Sequence, residues 1–246
     1  MLTITPYIFN QLPEIICGFS TKIGLERTGP YYFNMSYEVG DDEKKVTENR
    51  GDFFNSLGLE SSAIAFQHQV HGNNISVVSS DGSAGKSDAL ITTCKNLGIA
   101  ISSADCCAIF IYDPVNEIVA GVHSGWRGTQ KEILIKVLQK LSNDFDSNPG
   151  DLVCYIAPSI TGINYEVGVE VAEQFDSNYI LTNSDKYYLD IPKINYDALI
   201  NFGVFEHKIQ LSGLCSYEYN SLLHSYRRDG EKSGRALGVI AMRDFE

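Results

Sequence analysis

The chain has 246 residues, a formal net charge of −12, 43% hydrophobic residues and 20% charged residues. Those values exclude disorder, collagen and coiled coil, and a chain of this length buries most of its apolar surface without a disulfide or metal to staple it. The acidic balance repels nucleic acid and anionic membrane at long range, yet leaves room for a locally positive pocket that takes a small anion. The first residues lack a basic stretch followed by an unbroken apolar run, and no run reaches the length of a membrane span. Cys17, Cys94, Cys106, Cys107, Cys154 and Cys215 are scattered without a CxxC pair. The expectation is therefore one domain over residues 1–246, in a reducing cytoplasm, with free thiols and no zinc ribbon.

The first predicted element is a helix over Asp41–Leu57. Val46, Phe53, Phe54 and Leu57 fall on one side, and Asp41 or Asp42 caps it. Short strands are predicted at Ile64–Gln67, Ile75–Val78, Ala89–Thr92 and Gly98–Ser102. Cys107–Tyr112 and Ile118–His123 follow, joined by a turn at Asp113-Pro114-Val115-Asn116. A helix over Gln130–Leu141 carries an apolar face of Ile133, Leu134, Val137, Leu138 and Leu141, with Thr129 and Glu132 as a capping box. A strand at Leu152–Ala157, helices at Gly168–Phe175 and Ile194–Phe202, and a last strand at Ala236–Met242 complete the pattern. There is no regular βαβ rhythm, which favours an α+β layered fold.

Three segments carry candidate chemistry. A four-residue hairpin loop at Asp113–Asn116 sets Tyr112 opposite Glu117 and hence Cys106 opposite His123, with Cβ atoms roughly 5 Å apart. A thiolate and an imidazole so placed suit a shared metal or a thiolate–imidazolium pair. The plain alternative is a buried cysteine beside a hydrogen-bonded core histidine. His123 also precedes the Gly125–Gly128 turn. There a helix start and the Arg127 guanidinium suit phosphate or carboxylate. His71 is followed by Gly72 and is preferred over His68. Arg227, Arg228, Lys232 and Arg235 form the densest basic cluster, and Arg50 and Lys22 are weaker anion candidates.

These segments together resemble the YfiH-like family, also called the polyphenol oxidase, laccase-domain or peptidoglycan editing factor family. The resemblance rests on Gly18-Phe19-Ser20-Thr21-Lys22, Glu48-Asn49-Arg50, Gln69-Val70-His71-Gly72, Asp88-Ala89-Leu90-Ile91-Thr92 and Ala104-Asp105-Cys106. His123-Ser124-Gly125-Trp126-Arg127-Gly128 is its most specific run, and Tyr165-Glu166-Val167-Gly168 and Ser225-Tyr226-Arg227-Arg228 extend it. Ser124 stands where the family has Ala, Leu25 where it has Gly, and Asn164 where it has Cys. The resemblance implies a single-domain four-layer α/β/β/α sandwich with mixed sheets. It also implies a metal, Zn2+ or in the same site Cu2+, held by His71, Cys106 and His123.

By that resemblance the expected activity is zinc-dependent phosphorolysis of adenosine, inosine and methylthioadenosine, with adenosine deamination. Its partners are a small nucleoside and phosphate, with no nucleic acid and no membrane. Cys106, His71, His123 and Asp105 are the catalytic candidates, Asp105 as a proton carrier or as a cap on local backbone. Lys22, Arg50, Arg127, Arg227 and Arg228 are the substrate or phosphate candidates. A metal-independent cysteine hydrolase that edits peptidoglycan precursors uses the same residues. A copper phenol oxidase fits less well, because five histidines without a His-x-His pair do not build a multi-metal centre. A non-catalytic zinc-binding protein is the fourth reading.

Overall fold

The computed structural model describes residues 1–244. The first half of the chain supplies β1 (Thr3–Ile4), β2 (Ile15–Ser20), α1 (Glu43–Ser56), β3 (Ile64–His68), β4 (Ile75–Val77), β5 (Gly82–Lys86), β6 (Ala89–Thr92), β7 (Gly98–Ser103), β8 (Cys107–Asp113) and β9 (Ile118–Ser124). The second half supplies α2 (Trp126–Gln130), α3 (Ile133–Phe145), β10 (Val153–Ile156), β11 (Glu166–Val167), α4 (Val169–Ala172), β12 (Ile180–Asn183) and β13 (Lys186–Leu189). It closes with α5 (Ile191–Phe202), β14 (Ile209–Leu211), α6 (Tyr226–Asp229) and β15 (Ala236–Met242).

Two six-stranded sheets form the centre. One runs β1-β2-β15-β7-β3-β5 and the other β14-β10-β8-β9-β6-β4, with a small third sheet β11-β13-β12 beside them. Both large sheets mix parallel and antiparallel neighbours, since β3 pairs parallel with β7 while β15 pairs antiparallel with it. The layers follow from where the apolar residues go. Phe19, Ile99 and Ile101 of the first sheet meet Phe110, Tyr112, Val119 and Tyr155 of the second. Gly238 permits this contact, because any side chain there would run into the Phe110 ring. The outer face of the second sheet, through Ile109, Ile111, Ala120 and Val122, packs on the apolar stripe of α3 and on Ile191 and Leu199 of α5. The outer face of the first sheet, through Ala100, Leu237 and Val239, packs on Phe53 and Phe54 of α1. Each of these Val, Leu, Ile and Phe side chains contributes about 1.5–3 kcal/mol by leaving water. The result is the α/β/β/α sandwich that the family resemblance implies.

Local chemistry explains most boundaries. Asp42 caps α1 by accepting from the Lys44 and Lys45 amides. Leu25 takes a left-handed φ of 47°, a conformation that glycine adopts more freely. Two expectations need correction. The predicted helix over 130–141 starts later, at Ile133 as α3, because Glu132 is left-handed with φ 60° and separates it from α2, which ends at Gln130. The Thr129–Glu132 capping box therefore does not form. The Thr129 hydroxyl donates instead to the Gly125 carbonyl at 2.9 Å.

The second correction concerns the hairpin. Its register places Asp113 opposite Ile118, Ala108 opposite His123 and Cys107 opposite Ser124. Asp113 belongs to the strand, and its carboxylate accepts from the amides of Val115 and Asn116 at 2.9 and 3.1 Å. Glu117 turns the corner with a left-handed φ of 51°. The loop is thus one residue further on than expected, and Cys106 lies beyond the last strand pair, not directly across from His123. All six cysteines are free thiols. Among the described residues no helix is long and apolar enough to cross a membrane.

Candidate metal centre

Alternation along β9 puts Val119, Gly121 and His123 on the face that looks at the first sheet, so His123 ends up at the mouth of the inter-sheet core. Cys106 has the same parity one step outside β8. Its turn is fixed by the Ser103 hydroxyl of the first sheet, which donates to the Cys106 carbonyl at 2.6 Å. His71 arrives from the loop after β3, held in a left-handed φ of 57°. The three ligand atoms of His71, Cys106 and His123 lie within 4.8 Å of one another. The imidazole rings stand nearly perpendicular, at 82° with centroids 4.8 Å apart.

Asp88, immediately before β6, is the residue the sequence reading did not single out. It is fully buried. Oδ1 sits 2.9 Å from His123 Nδ1 and accepts from the His71 amide at 2.9 Å. Oδ2 accepts from the Gly72 amide at 2.7 Å and the Val70 amide at 3.3 Å. Its carbonyl accepts from the His123 amide at 2.7 Å. Burial raises the carboxyl, but the donors from His123, Gly72 and His71 outweigh it and hold Asp88 below the usual range. A carboxylate on Nδ1 fixes the proton there and leaves Nε2 to face Cys106. Burial pushes the Cys106 thiol up, and the two imidazoles, His123 foremost, overcome this and bring it to about 6. Burial lowers His123, and the Cys106 thiolate and Asp88 raise it to about 9.

This donor set fits a metal ion. Two imidazoles and a thiolate are nitrogen and sulfur donors of the kind that bind zinc or copper, and three protein ligands leave a further coordination position open. The space is kept clear as well. A Cβ at Gly125 would lie 2.8 Å from Cys106 Sγ and 3.2 Å from His71 Cδ2. Among the described residues this is the one group of three or more His, Cys, Asp or Glu side chains so gathered.

The remaining candidates sort by what their polar atoms already do. Asp105, at φ 91°, accepts from the Ser216 hydroxyl and the Arg227 amide, both at 2.6 Å, one on each carboxylate oxygen. It therefore ties the Cys106 turn to the C-terminal loop, as a cap on local backbone would. Arg228 is corrected outright. Its five N–H donors go to Asp229 twice and to the carbonyls of Ser216, Tyr217 and Leu223, so none is left for an anion. Lys22 is buried, donates to Asn220 and lies over the Tyr32 ring at 4.1 Å; burial lowers its pKa. Arg227 stacks on Tyr165 at 4.9 Å and gives one donor to the Glu166 carbonyl. Arg127 is exposed and stacks on Trp126 at 4.3 Å, and its guanidinium donates to no group among the described residues. Arg50 is clamped between Tyr37 and Phe66, at 4.4 and 4.6 Å, with Nε on the Met35 carbonyl and neither Nη group donating to another among the described residues. Arg235 lies over the Tyr226 ring at 5.2 Å and donates to the Ser233 and Gly234 carbonyls; burial lowers its pKa, and the nearby Asp105 charge opposes this. His68 stands apart, paired with Glu38 at 3.0 Å.

A four-layer sandwich with, among the described residues, one cysteine–histidine cluster at the mouth of its sheets defines the class of protein. Residues 16–243 match the family described as multi-copper polyphenol oxidoreductase laccase, and the chain belongs to that family. It is 31% identical to purine nucleoside phosphorylase YlmD of Bacillus subtilis (strain 168), over 94% of this chain and 90% of the relative. The crystal structure of YlmD from Geobacillus stearothermophilus superposes with a TM-score of 0.90 at 28% identity, covering 97% of this chain and 94% of that one. The crystal structure of the Bacillus licheniformis hypothetical protein YfiH gives 0.89 at 29% identity, covering 96% and 94%.

Proposed function

We propose that the chain is a metal-dependent purine nucleoside phosphorylase whose metal, zinc by preference, is held by His71, Cys106 and His123. The observation that supports it is the convergence of these three side chains, in a chain that is similar end to end to proteins named purine nucleoside phosphorylases. A bound zinc supplies Lewis-acid polarisation to an oxygen of substrate or water. The protein supplies the rest. Asp88 orients His123, and Ser103 and Asp105 fix the Cys106 turn. Arg127, Arg50 and Arg227 keep unspent donors for phosphate and substrate oxygens. In phosphorolysis a phosphate oxygen bonds to C1′ of the ribose as the N-glycosidic bond breaks and its electron pair leaves with the base. Charge-assisted donors that hold the phosphate in line lower that barrier. Adenosine, inosine and methylthioadenosine are the proposed substrates, with adenosine deamination as a second reaction.

A metal-independent cysteine hydrolase is the second reading. It is favoured by the Cys106–His123 pair, in which the imidazole lowers the thiol and the sulfur raises the imidazole, the arrangement of an activated cysteine. The test is release of free base and ammonia from the three nucleosides, with and without phosphate, in metal-loaded and metal-stripped protein. Phosphate-dependent base release that stripping abolishes and zinc restores supports the phosphorylase. Full activity of stripped protein on a peptidoglycan-precursor amide overturns it in favour of the hydrolase. Oxidation of phenols with copper alone would point to the oxidase.

A further inference from the structure

Asp88 does more than any single ligand to shape the cluster, because one buried carboxylate addresses both histidines at once. His71 descends from the first sheet and His123 from the end of a strand in the second. Nothing in either sheet's ladder fixes the distance between them. Asp88 does, with Oδ1 shared between the His123 ring and the His71 amide and Oδ2 taking the amides of Gly72 and Val70. Its own backbone is pinned at both ends, by its amide on the Asn74 carbonyl and by its carbonyl on the His123 amide. We infer that Asp88 is the positioning residue that sets metal affinity, by locking His71 in its left-handed conformation and His123 in the tautomer that presents Nε2. The inference rests on the metal-centre reading above.

The chemistry of the substitution is specific. Asn has one acceptor oxygen and one NH2 group. Whichever way it is turned, the NH2 faces protons, either the Gly72 and Val70 amides or the His71 amide and the His123 Nδ1–H. One histidine segment is therefore released while the other stays. A buried donor left facing donors also costs stability, so a melt alone does not separate a positioning role from a structural one. The ligand field of a bound ion does separate them.

The experiment loads wild type, Asp88→Asn and Gly72→Ala with zinc and with cobalt(II). Zinc affinity is read by competition with a fluorescent chelator, and the cobalt absorption spectrum reports the ligands. Asp88→Asn is expected to weaken zinc about 10- to 100-fold. The thiolate-to-cobalt band should remain, and the ligand-field bands should shift as one imidazole leaves. Gly72→Ala keeps every donor but sets a Cβ 3.3 Å from Asp88 Oδ2, so it should move affinity and spectrum the same way by less. It decides the matter if Asp88→Asn does not fold. Wild-type affinity and an unchanged spectrum in a folded variant overturn the inference, as does a lowered melt with the spectrum intact. A wild-type chain that holds neither ion overturns the metal reading and this inference with it.

Discussion

Gly125→Ala isolates the space that the cluster needs. Gly125 sits at φ −81° and ψ 174°, a backbone that alanine adopts without strain, so the perturbation is steric alone. The added Cβ would lie 2.8 Å from Cys106 Sγ and 3.2 Å from His71 Cδ2. Ordinary carbon contacts start near 3.5–4.0 Å, so the sulfur must retreat by roughly 0.7–1.2 Å. A metal site tolerates about 0.2 Å in its ligand distances. Elemental analysis should therefore find most of the metal lost, and a 1 Å misplacement of the reacting centre should lower kcat/KM by on the order of 10²-fold. Overpacking of this kind costs about 1–3 kcal/mol. For a chain of this size each kcal/mol lowers Tm by about 2–4 °C. Gly51→Ala in α1 is the control, because nothing lies within 4 Å of its Cβ and a helix interior gains from alanine. A Gly125→Ala protein that holds wild-type metal with wild-type affinity would refute the steric argument.

Cys106→Ser should remove most of the metal while leaving the sheets intact, since the side chain lies outside β8; retained metal in a folded variant would show that the thiolate is not a ligand. Arg127→Ala should raise the phosphate KM with metal content unchanged, because its donors are unspent and it touches no ligand; an unaltered phosphate dependence moves Arg127 to packing against Trp126. Arg228→Ala should behave oppositely. Five donors vanish and three carbonyls lose a partner, so stability should fall by about 2–3 kcal/mol in urea unfolding, with the phosphate KM of the remaining folded protein unchanged. His224 gives a pH signature. Burial lowers it to about 3 in the fold, whereas an unfolded imidazole titrates near 6.5. The unfolded state therefore binds more protons between those values, and this residue's contribution is full above pH 6.5 and lost as pH falls, at about 1.4 kcal/mol per unit. Unfolding free energies of wild type and His224→Gln that stay parallel from pH 7 to pH 4 would contradict that.

Periodicity and turn chemistry reached far into the fold. Ala89–Thr92 and Ala236–Met242 are strands at the residues expected, and α1 begins behind its Asp42 cap, because alternation, apolar runs and capping are local properties. The three metal-ligand candidates were also legible, as histidines and a cysteine beside glycines and in motifs that resemble a known family. What the sequence could not settle was set by contacts between distant segments. The hairpin slipped by one loop residue because Asp113 bonds its own turn, so the route from Cys106 to His123 is diagonal rather than directly opposed. Asp88 reads as an ordinary acid before a strand until two sheets fold around it and bring four amides or ring nitrogens within reach. The basic cluster near the C-terminus looks uniform in sequence, yet the fold consumes Arg228 entirely, stacks Arg227 on Tyr165 and sets Arg235 over Tyr226. Residue type set which chemistry was possible, and tertiary packing decided which donors and ligands remained free to perform it.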